Sequence, residues 1–142
     1  MYRYLHELLP EIASKETSII TIEDVEGIEK GDYGLYEMYC SDKGCDCRRV
    51  FLNVMNIKTM KSIAVIAYGW ESKKFYSKWF GSEDDINNPE VNEMCGFSFA
   101  SMPQSKYAGV MMEIIKDCIE GNKEFKDKTK RHYKAFKQEI DK

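Results

Sequence analysis

Apolar and polar positions alternate along much of residues 18–72, a pattern typical of β-strands. Turn-forming residues separate the alternating segments, so each segment can pair with the one before it. The aromatic segment that follows is interpreted as a further strand, although its spacing also fits a helix. The predicted strands are 18–23, 33–40, 45–55, 62–72 and 75–80. Together they predict an antiparallel meander of four or five strands.

Helical spacing of apolar residues is found at both ends of the chain. Within residues 1–16 Pro10 interrupts this spacing, which limits the prediction to a short or bent helix. Two further helices are predicted near the carboxyl terminus. The first begins with a capping-box arrangement at 101–104 and ends at Gly121, and the second covers 123–140.

Strands followed by helices are the order of an α+β fold, with the helix pair at 102–140 packed on one face of the sheet. A chain of 142 residues, 43% hydrophobic and 32% charged, is expected to form a single domain spanning 1–142. Residues 81–100 are predicted to be a long acidic loop. Its consecutive acids Glu83, Asp84 and Asp85 are interpreted as a solvated charge run.

Three cysteines, Cys40, Cys45 and Cys47, lie within eight residues of a predicted Cys-rich hairpin at 33–55. The four residues 41–44 are turn-forming, so a hairpin closed by them pairs Cys40 with Cys45. Strand side chains alternate between faces, which places Cys47 on the same side as Cys45. Three converging thiolates favour a soft cation, and Zn²⁺ is the usual one.

The same pairing predicts further contacts across the hairpin. Glu37 would lie opposite Arg48, an acid facing a base, which supports this register weakly. Leu35 would lie opposite Val50, on the face of the hairpin that carries Glu37. Because both faces are partly apolar, we expect the hairpin to be covered on both sides.

Cysteine usage and the amino-terminal sequence suggest a reducing compartment. The first residues lack the apolar core of a signal peptide, and no apolar run is long enough to span a bilayer, so a cytoplasmic location is expected. Thiols stay reduced there, and five cysteines are an odd number for a disulfide framework. The alternatives to a metal are three reduced, half-buried cysteines or a Cys40–Cys45 disulfide.

A structural zinc site requires a fourth ligand. His132 is one candidate because it lies on the apolar face of the last helix, and Cys95 in the long loop is another. His6, near the terminus, is a weaker candidate, and Cys118 is interpreted as a packing residue of its helix. The apolar face of the last helix comprises Phe125, Thr129, His132, Tyr133, Phe136 and Ile140.

If water instead filled the fourth position, the open three-cysteine site could be catalytic, and a reactive cysteine is a related possibility. No general base is placed nearby, because Glu37 and Asp46 are expected to point away from the sulfurs. The chain has no phosphate-binding loop and no nucleophile elbow. These observations favour a binding or accessory module over an enzyme.

Charge and aromatic content raise a third possibility, a weak single-stranded nucleic-acid binder. Residues 1–39 carry nine acidic and three basic residues, whereas residues 123–142 carry eight basic and four acidic ones. The aromatic residues at 68–80, with lysines nearby, could stack on bases. The alternative is that they pack beneath the helices, and a pI near 5.5 argues against a dedicated nucleic-acid binder.

The segment formed by Gly31 and residues 33–50 resembles an uncharacterised family of small prokaryotic proteins with this Cys-rich hairpin, some of them joined to a SEC-C zinc-binding motif. The residues at 103–105, which open a helix, and the terminal Arg131, His132, Tyr133 and Phe136 are also similar, so the resemblance covers about 31–136. It implies Cys40, Cys45 and Cys47 as metal ligands, with His132 preferred over Cys95 as the fourth. The SEC-C motif itself is absent from this chain.

The sequence therefore predicts a cytoplasmic α+β domain with one thiolate-rich zinc site, acting with an unidentified protein partner. The metal would hold the hairpin against the last helix or the 81–100 loop. The sequence does not specify the partner or the oligomeric state.

Overall fold

The computed structural model describes residues 1–81 and 88–142. In these residues, six strands form one antiparallel sheet in the order β1–β3–β4–β5–β6, and β2 pairs with β3 on the same edge as β1. The strands are β1 (Tyr2–Tyr4), β2 (Ser18–Ile22), β3 (Gly31–Cys40), β4 (Arg49–Asn56), β5 (Ser62–Gly69) and β6 (Gly96–Phe99). The α+β class and the antiparallel sheet are confirmed, with six strands where four or five were expected.

Six helices accompany the sheet in the described ranges. They are α1 (Leu5–Leu8), α2 (Pro10–Glu16), α3 (Lys73–Trp79), α4 (Pro89–Met94), α5 (Ala108–Ile119) and α6 (Lys123–Ile140). The bent helix predicted near the start is the pair α1–α2, because Pro10 begins a new helix after Leu9, whose backbone is not helical. Within the described residues, none of the helices has the length and apolar character needed to cross a membrane.

The two faces of the sheet are covered differently. Helices α5 and α6 cover one face, as predicted, and Met111 and Phe136 pack there with Leu35, Leu52 and Ile66 in the main core. The opposite face carries a smaller apolar cluster, made by Met38, Val65 and Ala100 with Tyr2, Tyr4 and Phe51 packed against them.

The predicted register of the hairpin is wrong by four residues. Glu37 is paired with Leu52 and Met38 with Phe51, so the predicted pairings of Cys40 with Cys45 and of Glu37 with Arg48 do not occur. The connection between β3 and β4 is residues 41–48, twice the predicted length, because it contains its own turn and ends at Arg48 with a positive φ of 50°. An even shift leaves each side chain on its predicted face.

Two predictions between residues 75 and 100 are also wrong. The segment 75–80 belongs to helix α3, which the Ser72 hydroxyl caps by accepting a hydrogen bond from the Phe75 amide at 3.1 Å. The segment predicted as a loop contains α4 and β6, with Asn88 as the helix cap. The acidic run Glu83, Asp84 and Asp85 lies outside the described residues.

Helix α5 begins later than predicted, at Ala108 rather than in the segment 101–104. Gln104 does not cap a helix, because its side chain pairs with the backbone of Val65: the amide nitrogen donates to the Val65 carbonyl at 2.9 Å and the amide oxygen accepts from the Val65 N–H at 2.8 Å. Gln104 thus forms the hydrogen bonds with the backbone of β5 that a neighbouring strand would otherwise form. Helix α6 has the predicted bounds.

Gly69 is required where helix α4 crosses the end of β5. A Cβ atom at this position would lie 1.9 Å from the Met94 carbonyl oxygen and 2.7 Å from the Tyr76 hydroxyl.

We expect Gly69→Ala to lower the free energy of unfolding by roughly 2–3 kcal/mol, measured by urea denaturation. The matched control is Gly109→Ala, where a Cβ meets no atom within 4 Å inside helix α5, so a gain of about 0.5–1 kcal/mol is expected. Equal effects of the two substitutions would contradict this packing.

Candidate metal centre

The sulfur atoms of Cys40, Cys45 and Cys47 lie within 4.8 Å of one another. Cys40 is the last residue of β3, and the other two lie in the connection 41–48, hereafter the cysteine loop. The predicted convergence of the three sulfurs is confirmed, although the loop and not strand pairing produces it. All five cysteines of the chain are free thiols. Cys40 and Cys47 are buried, and Cys45 is partly exposed.

The amino-terminal strand holds one side of the cysteine loop. Tyr2 pairs with Cys40, and the Ser41 amide donates a hydrogen bond to the Met1 carbonyl at 2.7 Å. The Tyr2 hydroxyl lies 3.6 Å from the Cys47 sulfur. Strand β1 was not predicted, since three residues are too few to show alternation.

Helix α6 holds the other side of the loop through two side chains. The ammonium group of Lys137, which is buried, donates to the carbonyl of Cys40 at 2.7 Å and to that of Asp42 at 3.3 Å. The Tyr133 hydroxyl donates to the Asp46 carboxylate at 2.9 Å and accepts from the Arg48 amide at 3.3 Å. The spacing of apolar residues along α6 predicted that Tyr133 lies on the inner face. It did not predict the burial of Lys137, because lysine is not counted as an apolar residue.

Helix α3 fixes the end of the loop at Arg48. The Tyr76 hydroxyl donates to the Arg48 carbonyl at 2.8 Å. The Arg48 guanidinium bonds to the Asp46 carboxylate at 2.8 Å and lies 4.5 Å from the centre of the Phe75 ring. These contacts hold Arg48 in its positive-φ conformation, which is uncommon for a residue with a Cβ atom.

Burial raises the pKa of the Cys40 and Cys45 thiols in the metal-free chain, and the nearby Lys137 ammonium opposes this shift. Metal binding requires thiolates, so a metal must displace protons here. Three sulfur donors suit a soft or borderline cation such as Zn²⁺, whereas Ca²⁺ and Mg²⁺ require oxygen. The arrangement can therefore hold a thiophilic metal ion.

Within the described residues, His132 does not join the three-cysteine group, and its side chain belongs to a buried hydrogen-bonded group of its own. Its Nδ1 atom donates to the Glu37 carboxylate at 2.8 Å, and that carboxylate also accepts from the Tyr39 hydroxyl at 2.5 Å. The other ring nitrogen, Nε2, lies 3.4 Å from a Glu16 oxygen but without hydrogen-bond geometry. Both ring nitrogens thus face carboxylates.

The remaining candidate ligands are also placed apart from the three-cysteine cluster. The Cys95 thiol follows α4 and donates to the Glu71 carbonyl at 3.3 Å. The imidazole of His6, an exposed residue, stacks on Tyr4. Cys118 is exposed on α5, so its interpretation as a packing residue is wrong, and Ile119 is buried in its place.

The aromatic residues at 68–80 do not form an open platform. Tyr68 and Tyr76 are buried, and Trp70 packs edge-on against Tyr133. Trp79 is exposed on helix α3, but it lies beside Phe80 and not on a strand. The alternative interpretation holds for Tyr68 and Trp70, which pack in the main core, whereas the aromatic residues at 75–80 belong to helix α3 and its C-cap and not to the sheet.

A shallow groove of about 540 Å³ opens beside Cys45. Tyr133, Lys134 and Lys137 of α6 form one side of it, and Asp46 and Cys45 form the other. The most exposed sulfur of the cluster is therefore reachable from solvent.

A comparison with protein-family models, curated proteins and solved structures found no match to this chain.

The ion pair between α2 and α6 predicts a pH dependence of stability. Two hydrogen bonds from Arg131, at 2.7 and 3.0 Å, hold the pKa of Glu16 at about 2, below its usual value near 4.5. A lowered pKa stabilises the fold above pH 4.5, and this contribution is lost as the pH falls towards 2. Because the pair is partly solvated, we expect Glu16→Gln to cost only about 0.5–1 kcal/mol at pH 7.

The measurement is the free energy of unfolding of wild type and Glu16→Gln between pH 7 and pH 2. The difference should shrink below pH 4.5 and disappear near pH 2. Glu11→Gln is the control, since no ion pair of Glu11 is found in the described residues and its side chain is exposed on the same helix. A difference that is independent of pH would show that Glu16 acts by packing alone.

Proposed function

We propose that this chain is a metal-binding domain with one structural zinc ion held by Cys40, Cys45 and Cys47, acting as a binding or accessory module. The observation that carries the proposal is the convergence of three sulfurs within 4.8 Å in a loop fixed by contacts from three directions. Sulfur donors in this number favour zinc among the common cellular metals, and iron is the main competitor.

A structural role fits the position of the cluster. The cysteine loop joins β3 to β4 and contacts β1, α3 and α6, so a metal there would fix the conformation of the loop on which these contacts depend. Because the unfolded chain does not hold the three sulfurs together, the free energy of metal binding would add to that of folding. Reduced thiols are needed for this, which fits the cytoplasmic location expected from the sequence.

The fourth coordination position can be supplied in several ways. Within the described residues, no fourth His, Cys, Asp or Glu side chain joins the three-cysteine group. The prediction of His132, with Cys95 as its alternative, requires either side chain to leave its present partner. A water molecule or a ligand group entering through the groove beside Cys45 needs no such change.

The groove also supports the second candidate function, an enzyme with an open three-cysteine metal site. An exchangeable fourth position next to a space of about 540 Å³ is what such an enzyme requires. Against this role, a thiolate-rich site weakens the Lewis acidity of its metal. A solvent-exchangeable ligand in the spectrum of a cobalt-substituted protein would support the catalytic alternative.

Chelation tests the structural role directly. Elemental analysis of protein purified without chelator should give one zinc per chain, and removal of the metal should lower the melting temperature by at least about 10 °C. Serine substitutions at Cys40, Cys45 and Cys47 should each reduce the metal content, whereas Cys118→Ser, at an exposed position on α5, should change neither quantity. Metal-free protein with five titratable thiols and an unchanged melting temperature would refute the proposal.

His132→Gln separates a buried structural histidine from a metal ligand. Because both ring nitrogens face carboxylates, we expect the substitution to leave one zinc per chain and to lower the free energy of unfolding by about 3 kcal/mol, through loss of a partner of buried Glu37. The readouts are elemental analysis and urea denaturation. Loss of zinc would instead support the prediction that His132 is the fourth ligand, and Cys95→Ser tests the alternative in the same way.

A further inference from the structure

Two consecutive arginines follow the cysteine cluster, and within the described residues only the first forms ion pairs. Arg48 bonds to Asp46 and lies near Glu71 and Phe75. Arg49 points to the opposite face of the sheet, and in the described ranges 1–81 and 88–142 no carboxylate forms an ion pair with it. Its one hydrogen bond there is a long contact of 3.4 Å from a terminal nitrogen to the Glu93 carbonyl.

The Nε atom of Arg49 is buried and has no hydrogen-bond partner among the described residues. A guanidinium N–H removed from water without an acceptor costs free energy, so such a group is retained at a cost to stability. The fork of Nε and the terminal nitrogens matches the two oxygens of a carboxylate or phosphate. An oxyanion is therefore the group that would accept hydrogen bonds from the Arg49 guanidinium and balance its charge.

The space in front of Arg49 is a pocket of about 350 Å³, within the range of small-molecule sites. Strand pairing brings part of its lining together, because Phe51 on β4 and Ser98 on β6 are both paired with Ala67 of β5. Met94 also lines the pocket, and Ser101 adds a hydroxyl.

The lining combines hydrogen-bond donors with flat apolar surfaces. The Ser98 hydroxyl and Arg49 both donate to the Glu93 carbonyl, so the two groups converge on one point. The Phe51 ring is fixed by stacking on Tyr2 at a centroid distance of 3.8 Å, and the Arg49 guanidinium lies 5.4 Å from its centre. Glu93 and Phe99 also line the pocket, although strand alternation directs the Phe99 side chain to the opposite face of the sheet.

We infer that this pocket binds a small organic oxyanion with a flat, unsaturated body, its carboxylate or phosphate on Arg49 and its ring against Phe51. The inference does not require a metal at the cysteines. The two sites are nevertheless adjacent, because Tyr2 contacts Phe51 with its ring and Cys47 with its hydroxyl. Ligand binding is therefore measured on the full chain, with its metal content determined in parallel.

Side-chain NMR of Arg49 provides the test. The buried Nε–H should give a resolved signal, and titration with benzoate or phenyl phosphate should shift it saturably together with the amides of Ser98 and Phe99. Benzamide, which has the same shape as benzoate but no charge, should produce no such shift. The tighter of the two anions identifies the carboxylate or the phosphate as the preferred group.

Two substitutions make the test specific. Arg49→Gln should weaken benzoate binding at least about tenfold, since a charge-assisted bidentate contact is lost. Phe51→Leu, which keeps an apolar side chain but removes the ring, should weaken benzoate binding severalfold but leave acetate binding unchanged. Arg3→Gln, whose partner Glu7 lies on α1, is the control for net charge. Absence of saturable shifts, equal shifts with benzamide, or binding unaffected by both pocket substitutions would overturn the inference.

Discussion

The position of helix α6 depends on a buried hydrogen-bonded group between that helix and β3. The Glu37 carboxylate accepts from His132 and from Tyr39, and the Tyr39 hydroxyl also lies 3.3 Å from the Thr129 carbonyl. A carboxylate and an imidazole removed from water must be paired with each other, because an unpaired buried charge is costly. This requirement selects one position of α6 along β3, and with it the positions of Tyr133 and Lys137 next to the cysteine loop.

The cysteine loop obtains its shape from elements distant in sequence. Its carbonyl groups accept hydrogen bonds from α6 and α3, and its first amide donates to the amino-terminal segment. The loop ends at Arg48, after which strand alternation directs Val50 to the helix-covered face and Arg49 to the opposite one. One short segment thus places three sulfurs at the end of the sheet and a guanidinium group in a separate pocket.

Several features could be predicted because they depend on neighbouring residues alone. The strand predicted at 62–72, observed as Ser62–Gly69, and the bounds of α6 follow from hydrophobic periodicity, and the sides of the hairpin follow from alternation. The wrong register of the hairpin shows that such local patterns do not determine which residues of two strands are paired. Residues 41–44 form an acceptable turn by composition, but the observed loop is stabilised by Tyr76, Tyr133 and Lys137, which lie far along the chain. The preference of residues 41–44 for a tight turn contributes less to the stability of the loop than these buried contacts do.

The sequence by itself determined the α+β class, the faces of the strands and the grouping of Cys40, Cys45 and Cys47, since each depends on spacing within a few residues. The tertiary structure decided the pairing register, the placement of His132 against Glu37 and the pocket in front of Arg49. Spacing shows which way a side chain points. Which group it meets depends on packing and on the cost of leaving buried polar atoms unpaired, and both are properties of the whole fold.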